Sequence, residues 1–189
     1  HVIVDGETIL VDENGVISGA ALTNKNLLHN WDFRNPVNQR GQSSYSGITY
    51  TIDRWKQRAS SDVTTVNVGS VTFGKSTNVG PFIVQDVENL SALVGRQVTF
   101  SVKILAIEGA VRLRFLKTGY GNEAESGDIS STGTFLFTHT ITSETVGVAL
   151  VAVTAAANVT LESAKLELGS ASTLANDPPA DYGEQLMLC

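Results

Sequence analysis

Cysteine is almost missing from this sequence. Only Cys189 occurs among 189 residues. One thiol cannot form an internal disulfide or supply a structural zinc site, so both are excluded as devices holding the fold. Proline is also sparse, at four residues against seventeen glycines, and that balance does not describe a disordered chain. Charge is scarce as well: 17% of residues are charged, where about 25% is ordinary for a globular domain. What charge there is leans acidic, with 13 Lys and Arg against 19 Asp and Glu and a net charge of -6. A nucleic-acid partner is therefore not expected, because binding phosphates needs a basic footprint. No long apolar run exists. The longest mainly apolar stretch, residues 146–157, is about half the ~20 residues that a membrane helix requires, so no membrane partner is expected either. No basic-then-apolar leader opens the sequence, and a signal peptide is not expected.

What the chain does have is β-branched residues. Val and Thr supply 40 positions and Ser another 17, and such residues suit a pleated, half-buried surface. Helix-forming stretches are few, the one short candidate being Ser91-Ala92-Leu93-Val94 before Gly95. Period-two alternation is clear in Val98-Thr99-Phe100-Ser101-Val102-Lys103-Ile104 and again in Val111-Arg112-Leu113-Arg114-Phe115. Phe135, Phe137 and Ile141 share one face, with His139 between them. Residues 146–153 are apolar on both faces, as a central strand would be. Residues 159–168 read as a last long strand with a bulge, because the alternation changes phase near Ser163. Gly, Ser and Asn clusters separate these runs. The expected fold is all-β, an antiparallel sandwich of jelly-roll type.

Three parts are expected along the chain. Residues 1–21 form a short N-terminal β segment, with Thr8-Ile9-Leu10-Val11 and Val16-Ile17-Ser18 on either side of an Asn14-Gly15 turn. An isolated hairpin is marginal in water, so this one needs a partner, either the main domain or copies of itself in an oligomer. Residues 22–169 form the sandwich. Residues 170–189 form a tail, interrupted by Asp177-Pro178-Pro179. Its final stretch, residues 182–189, turns apolar again and would gain by docking on the sandwich. No internal repeat appears at a period of about 20–50 residues.

The candidate binding residues are aromatic and basic. Trp31 and Phe33 alternate with Asp32 and Arg34, so the rings are expected inside, with Arg40 paired to a carboxylate such as Asp32 or Asp53. Trp55 sits out of phase with Ile52 and reads either as core or as a platform for a sugar ring. Aromatic faces meet the axial C–H groups of a pyranose well. Arg54, Lys56 and Arg58 beside it suit hydroxyls or an acidic sugar, through charge-assisted hydrogen bonds. Tyr45 and Tyr50 flank a Ser-Gly segment and Tyr120 tips a loop; each reads either as a recognition residue or as a loop anchor. The carboxylates Glu123, Glu125 and Asp128 offer oxygen ligands for Ca²⁺, but their spacing matches no calcium loop, and a solvated charged loop fits better. No metal or other cofactor is expected. No catalytic residue is assigned either. Gly-x-Ser-x-Gly and His-Glu-x-x-His motifs and phosphate-binding glycine loops are missing, and His1, His29 and His139 are far apart.

One stretch carries a resemblance. Asn26-Leu27-Leu28-His29-Asn30-Trp31-Asp32-Phe33-Arg34-Asn35-Pro36-Val37-Asn38-Gln39-Arg40-Gly41 resembles the opening of a domain found in tail-fibre and baseplate-associated proteins of phages and prophages. Tyr50-Thr51-Ile52-Asp53-Arg54-Trp55 resembles its second signature. Ala164-Lys165-Leu166-Glu167-Leu168-Gly169-Ser170, and later Tyr182-Gly183-Glu184-Gln185-Leu186-Met187-Leu188-Cys189, resemble its closing strand and tail. The N-terminal segment is similar to the β segment that often precedes that domain. Between about residues 60 and 160 only the pattern matches. The resemblance implies a jelly roll akin to carbohydrate-binding modules, carried on a homotrimeric fibre of the virion tail. Its partners would be a bacterial surface glycan and other tail or baseplate proteins, met outside the cell. The alternatives are a purely structural fibre module and an accessory carbohydrate-binding module of a polysaccharide-degrading enzyme. An exposed aromatic cluster favours recognition. Full burial of Trp31 and Trp55 favours the structural module.

Overall fold

Alternating strands have one apolar face, and that face needs a second layer to cover it. A computed structural model shows how this chain supplies one. It describes residues 24–189 in full and, ahead of them, the backbone of three strands. These are β1 (Val2–Val4), β2 (Glu7–Val11) and β3 (Ile17–Gly19), paired in that order into a small antiparallel sheet. Leu10 lies opposite Ser18, as the hairpin reading requires, while the Asn14-Gly15 turn itself falls outside the described residues.

The strands that follow are β4 (Ser44–Ser46), β5 (Lys56–Gln57), β6 (Asp62–Asn67), β7 (Ser70–Lys75), β8 (Gly80–Asp86) and β9 (Gln97–Glu108). After them come β10 (Val111–Lys117), β11 (Gly121–Glu125), β12 (Gly133–Thr140), β13 (Thr145–Ala152) and β14 (Asn158–Leu168). They form two sheets. One has the order β11-β10-β13-β8-β5, the other β12-β9-β14-β7-β6-β4, and every pairing is antiparallel. From β7 onward most connections cross between the sheets, which is the path of a jelly-roll sandwich.

The sheets meet over Phe73, Phe100, Val102, Leu113, Phe115, Val148, Leu150 and Leu166, all buried. Phe100 and Phe115 meet edge to face across the two layers, with ring centroids 6.5 Å apart. β13 lies between β10 and β8, as its two apolar faces require. Its other side builds a second, smaller cluster of Val84, Leu116, Ala149 and Val151. β14 changes register on both sides of Leu161, next to the phase change expected near Ser163. The candidate helix around Ser91 is a single 3-10 turn, Leu90–Leu93, anchored by buried Leu90.

Residues after β14 close one outer face of the larger sheet. Thr99 Oγ1 donates to the Gly169 carbonyl at 2.7 Å, and the Ser172 and Ser101 hydroxyls meet at 2.8 Å. Lys165 is completely buried there and donates to Thr173 and Asp177, while Glu167 accepts from the Thr173 N–H at 2.6 Å. The incoming chain is fastened to the same strand. Leu27 N–H donates to the Leu166 carbonyl at 2.7 Å, and Asn24 N–H donates to Thr173 Oγ1 at 3.2 Å. The tail ends in a short helix, α1 (Tyr182–Leu188), capped by Asp181, whose carboxylate accepts from the Glu184 N–H at 2.8 Å. Docking of this helix runs through polar atoms: Gln185 Oε1 accepts from Asn30 N–H at 2.7 Å. Its apolar residues do not pack inward as the sequence reading expected; Met187 is 83% exposed.

Candidate functional site

Residues 49–57 form a tight hairpin. Gln57 N–H donates to the Thr49 carbonyl at 2.8 Å and Thr51 N–H to the Trp55 carbonyl at 2.9 Å. At its tip Arg54 has φ 71, in the left-handed region. That kink reverses the direction of the next side chain. Trp55 therefore enters the core beside Ile52, is 1% exposed, and stacks edge to face on Phe33 with centroids 5.4 Å apart. Its indole N–H donates to the Asn30 carbonyl at 3.0 Å. This corrects the sugar-platform expectation for Trp55: no face of the ring is open. Tyr45 is corrected in the same way. It is the inward residue of β4, 4% exposed, and its hydroxyl is held by the Asn38 side chain. Trp31 is buried too.

The other four candidates come together at one end of the outer face of the smaller sheet. Tyr50 pairs across the hairpin with Lys56 and stays 45% exposed. Lys56 Nζ lies 5.4 Å from its ring centroid and the Arg40 guanidinium 5.7 Å, both within cation–π reach of about 6 Å. Arg40 also bonds Asp53 at 3.0 Å, and Asp53 accepts the Gln39 N–H at 2.7 Å. Arg54 reaches Glu88 at 2.9 Å and grips the Leu188 carbonyl with two nitrogens, at 3.0 and 2.6 Å. Tyr120 arrives from the turn between β10 and β11. Its hydroxyl donates to Asp86 at 2.9 Å and the Arg58 guanidinium lies 3.7 Å from its ring centroid. Between these groups is an open depression of about 300 Å³, lined by Arg40, Tyr50, Lys56, Val84 and Asp86, with Cys189 at its side.

The electrostatics fit a polar ligand. Burial pushes the Tyr120 phenol above its ordinary value, and the bond to Asp86 with that carboxylate's charge adds to it, so the hydroxyl remains a donor. Burial, then the charge of Asp53, raises the Cys189 thiol, which keeps it neutral. Burial, then Arg54, lowers His29. Backbone strain singles out the same place. Among the described residues, the non-glycines with positive φ are Asn30, Arg54, Asn78, Asn89, Tyr120 and Ala156. Asparagine visits this region readily; arginine and tyrosine do so rarely. Both bulky cases, Arg54 with φ 71 and Tyr120 with φ 64, belong to this cluster. Strain of this kind costs on the order of 1–3 kcal/mol and concentrates at functional sites.

The acidic residues weighed for Ca²⁺ are directed elsewhere. Glu125 is bound by Arg112 and Arg114, each at 2.6 Å, and Asp128 by Arg112 at 2.6 Å. Glu123 accepts from Thr142 and Thr145 and lies 3.2 Å from His139 Nε2. Among the described residues no group of His, Cys, Asp and Glu is placed to hold a metal. Of the two acids expected as partners for Arg40, Asp32 is bound bidentately by Arg34, and Asp53 accepts a single bond from Arg40.

Sequence reasoning missed Asp86 and did not join Arg40 to the site. Asp86 ends β8, whose Phe82-Ile83-Val84-Gln85 core is buried on both faces and gives no alternation to read. Pairing of β5 with β8 sets Lys56 opposite Val84 and so brings Lys56 and Asp86 to one surface.

No family model matches the chain, and no curated protein matches it. Solved structures similar to it include a variant of a family 29 carbohydrate-binding module, at 9% identity and TM-score 0.47, over 72% of this chain and 90% of that one. Another is the CBM1 module of BiXyn10A, at 12% identity and TM-score 0.45, over 76% of this chain and 98% of that one. A third is the CBM22-1 xylan-binding domain from Paenibacillus barcinonensis Xyn10C, at 12% identity and TM-score 0.41, over 79% and 98%. What those modules bind is theirs; the similarity to this chain is one of architecture.

Proposed function

We propose that this chain is a non-enzymatic carbohydrate-recognition module, and that it serves as a receptor-binding part of a phage or prophage tail fibre. The observation that carries recognition is the cluster itself. Two tyrosines, each against a cation and one of them in a strained backbone, stand together here, and Tyr50 lines a depression at the small end of the about 300–1,000 Å³ typical of ligand pockets. Tyr50 offers an exposed ring, and Asp86, Arg40 and Lys56 offer the polar groups that orient hydroxyls. The tail-fibre setting rests on the stretches around Asn26 to Gly41, Tyr50 to Trp55 and Ala164 to Ser170. In that setting residues 1–21 hold three chains together. Three weak sites on one fibre act at high effective concentration and reach useful avidity against a bacterial surface glycan. Residues of the fibre side meet other tail or baseplate proteins.

A second reading has its own observation. Trp31 and Trp55 are both buried, at 8% and 1% exposed, as in a purely structural fibre module. A glycan array probed with the intact chain separates the two. Recognition predicts bound glycans, and a loss of at least about ten-fold in affinity for Tyr50→Ala or Tyr120→Ala with unchanged circular dichroism. An array with no bound glycan supports the structural module. Binding retained in both variants removes the site from this place.

A further inference from the structure

The charges around the depression do not cancel. Three cations, Arg40, Arg54 and Lys56, line it with two carboxylates, Asp53 and Asp86, while Arg58 and Glu88 stand outside the lining, against Tyr120 and Arg54. This occurs on a chain whose net charge is -6. The carboxylates are engaged: Asp53 with Arg40 and the Gln39 N–H, Glu88 with Arg54, and Asp86 with the Tyr120 hydroxyl. The cations divide into two kinds. Arg40 and Arg54 each have a carboxylate partner. Lys56 and Arg58 have none among the described residues; their charged ends rest on the rings of Tyr50 and Tyr120 instead. A tyrosine face holds a cation in place without neutralising it. Lys56 thus keeps its full charge for an incoming anion in a sugar-sized recess, and Arg58 keeps its own against Tyr120.

From this we propose that the site reads an anionic sugar, one carrying a carboxylate or a phosphate. The proposal rests on the carbohydrate reading above and deepens it. Lys56, opposite Val84 on the neighbouring strand, takes the anionic group through a charge-assisted hydrogen bond. Arg58 adds a second positive charge from the far side of the tyrosine pair. Asp86, on the same strand as Val84, repels the anion from its own end and accepts from ring hydroxyls, which fixes which way round the sugar lies. A neutral sugar would leave Lys56 without its partner and gain only the stacking and hydroxyl contacts.

The test is an array of uronic- and sialic-acid oligosaccharides, each beside its carboxyl-reduced form, together with phosphorylated oligosaccharides, probed at low and high salt. The expected result is acidic glycans bound at least about ten-fold more tightly than their reduced forms at low salt, a preference that shrinks as salt screens the charge. Lys56→Gln abolishes the preference and Lys56→Arg keeps much of it, which separates charge reading from a folding defect. Preference among the carboxylated or among the phosphorylated probes names the source of the anion. Equal binding of acidic and reduced forms overturns the proposal and leaves carbohydrate recognition standing. Binding of neutral glycans alone does the same. An array on which nothing binds overturns both.

Discussion

Arg54 shows how one backbone angle decides the fate of its neighbour. Extending the strand pattern from Ile52 puts Trp55 on the opposite face, since the two are three positions apart. The left-handed turn at Arg54 cancels that shift, and both side chains end in the core. A pattern read from sequence cannot see a positive φ at an arginine, which is why the ring's role stayed open. Trp55→Ala is expected to cost about 3–5 kcal/mol, the usual range for an aromatic truncated in a core. Urea denaturation measures it, and a loss below about 1 kcal/mol would contradict the packing described. Gly147 is legible only from space. A Cβ there would lie 2.2 Å from the Gln85 carbonyl on the adjacent strand. Gly147→Ala should therefore destabilise by about 1–3 kcal/mol, with the two strands forced apart beneath Asp86. The thermal midpoint tests this. Tyr50 stays exposed and Tyr120 half-buried, each at a chain reversal and not inside a long strand. Tyr45 was misjudged because a strand as short as β4 leaves no periodicity.

At the level of elements, legibility followed the number of polar faces. β9 and β10 carry polar residues on one face and announce themselves by alternation, even though the tail covers that face of β9; β13 declares its central place by having no polar face. β8 is a short apolar run with no flanking helix signal, and β6 and β7 mix Thr and Val too evenly for a phase to emerge. The tail was foreseen as docked, but through the wrong atoms. Ala180 N–H donates to Asp32 at 2.9 Å, and this bond makes the docking pH-dependent. Burial opposes ionisation of Asp32, yet the hydrogen bonds from the Arg34 side chain and from the Ala180 and Arg34 N–H groups prevail and hold the carboxyl below its ordinary value. A group lowered on folding stabilises above its unfolded value and stops doing so as pH falls through its folded value. Docking near Ala180 should thus persist at neutral pH and fail only below the ordinary carboxylate range. Hydrogen exchange at Ala180 and along α1 across that range checks it. Asp32→Asn should show weak protection at every pH; protection indifferent to both pH and substitution would refute the anchor.

For the molecule as a whole, Asn14-Gly15 and Asp177-Pro178-Pro179 stand out in the sequence against Val and Thr, and the three-part reading rests on them. What sequence could not show is that the two outer faces differ. One is roofed by residues after β14 over buried Lys165; the other carries the tyrosines and their cations. The trimer proposed for the chain predicts a mass of three chains by light scattering for the intact protein, and of one after deletion of residues 1–21. A monomeric intact chain would refute the fibre arrangement.

Asn24 and Thr173 are joined by a hydrogen bond, and Leu27 is joined to Leu166 beside them. The incoming chain is thus stapled to β14 and to the tail before it enters the layers. A pull on residue 24 would load those staples first and reach the stacked strands only after they had given way.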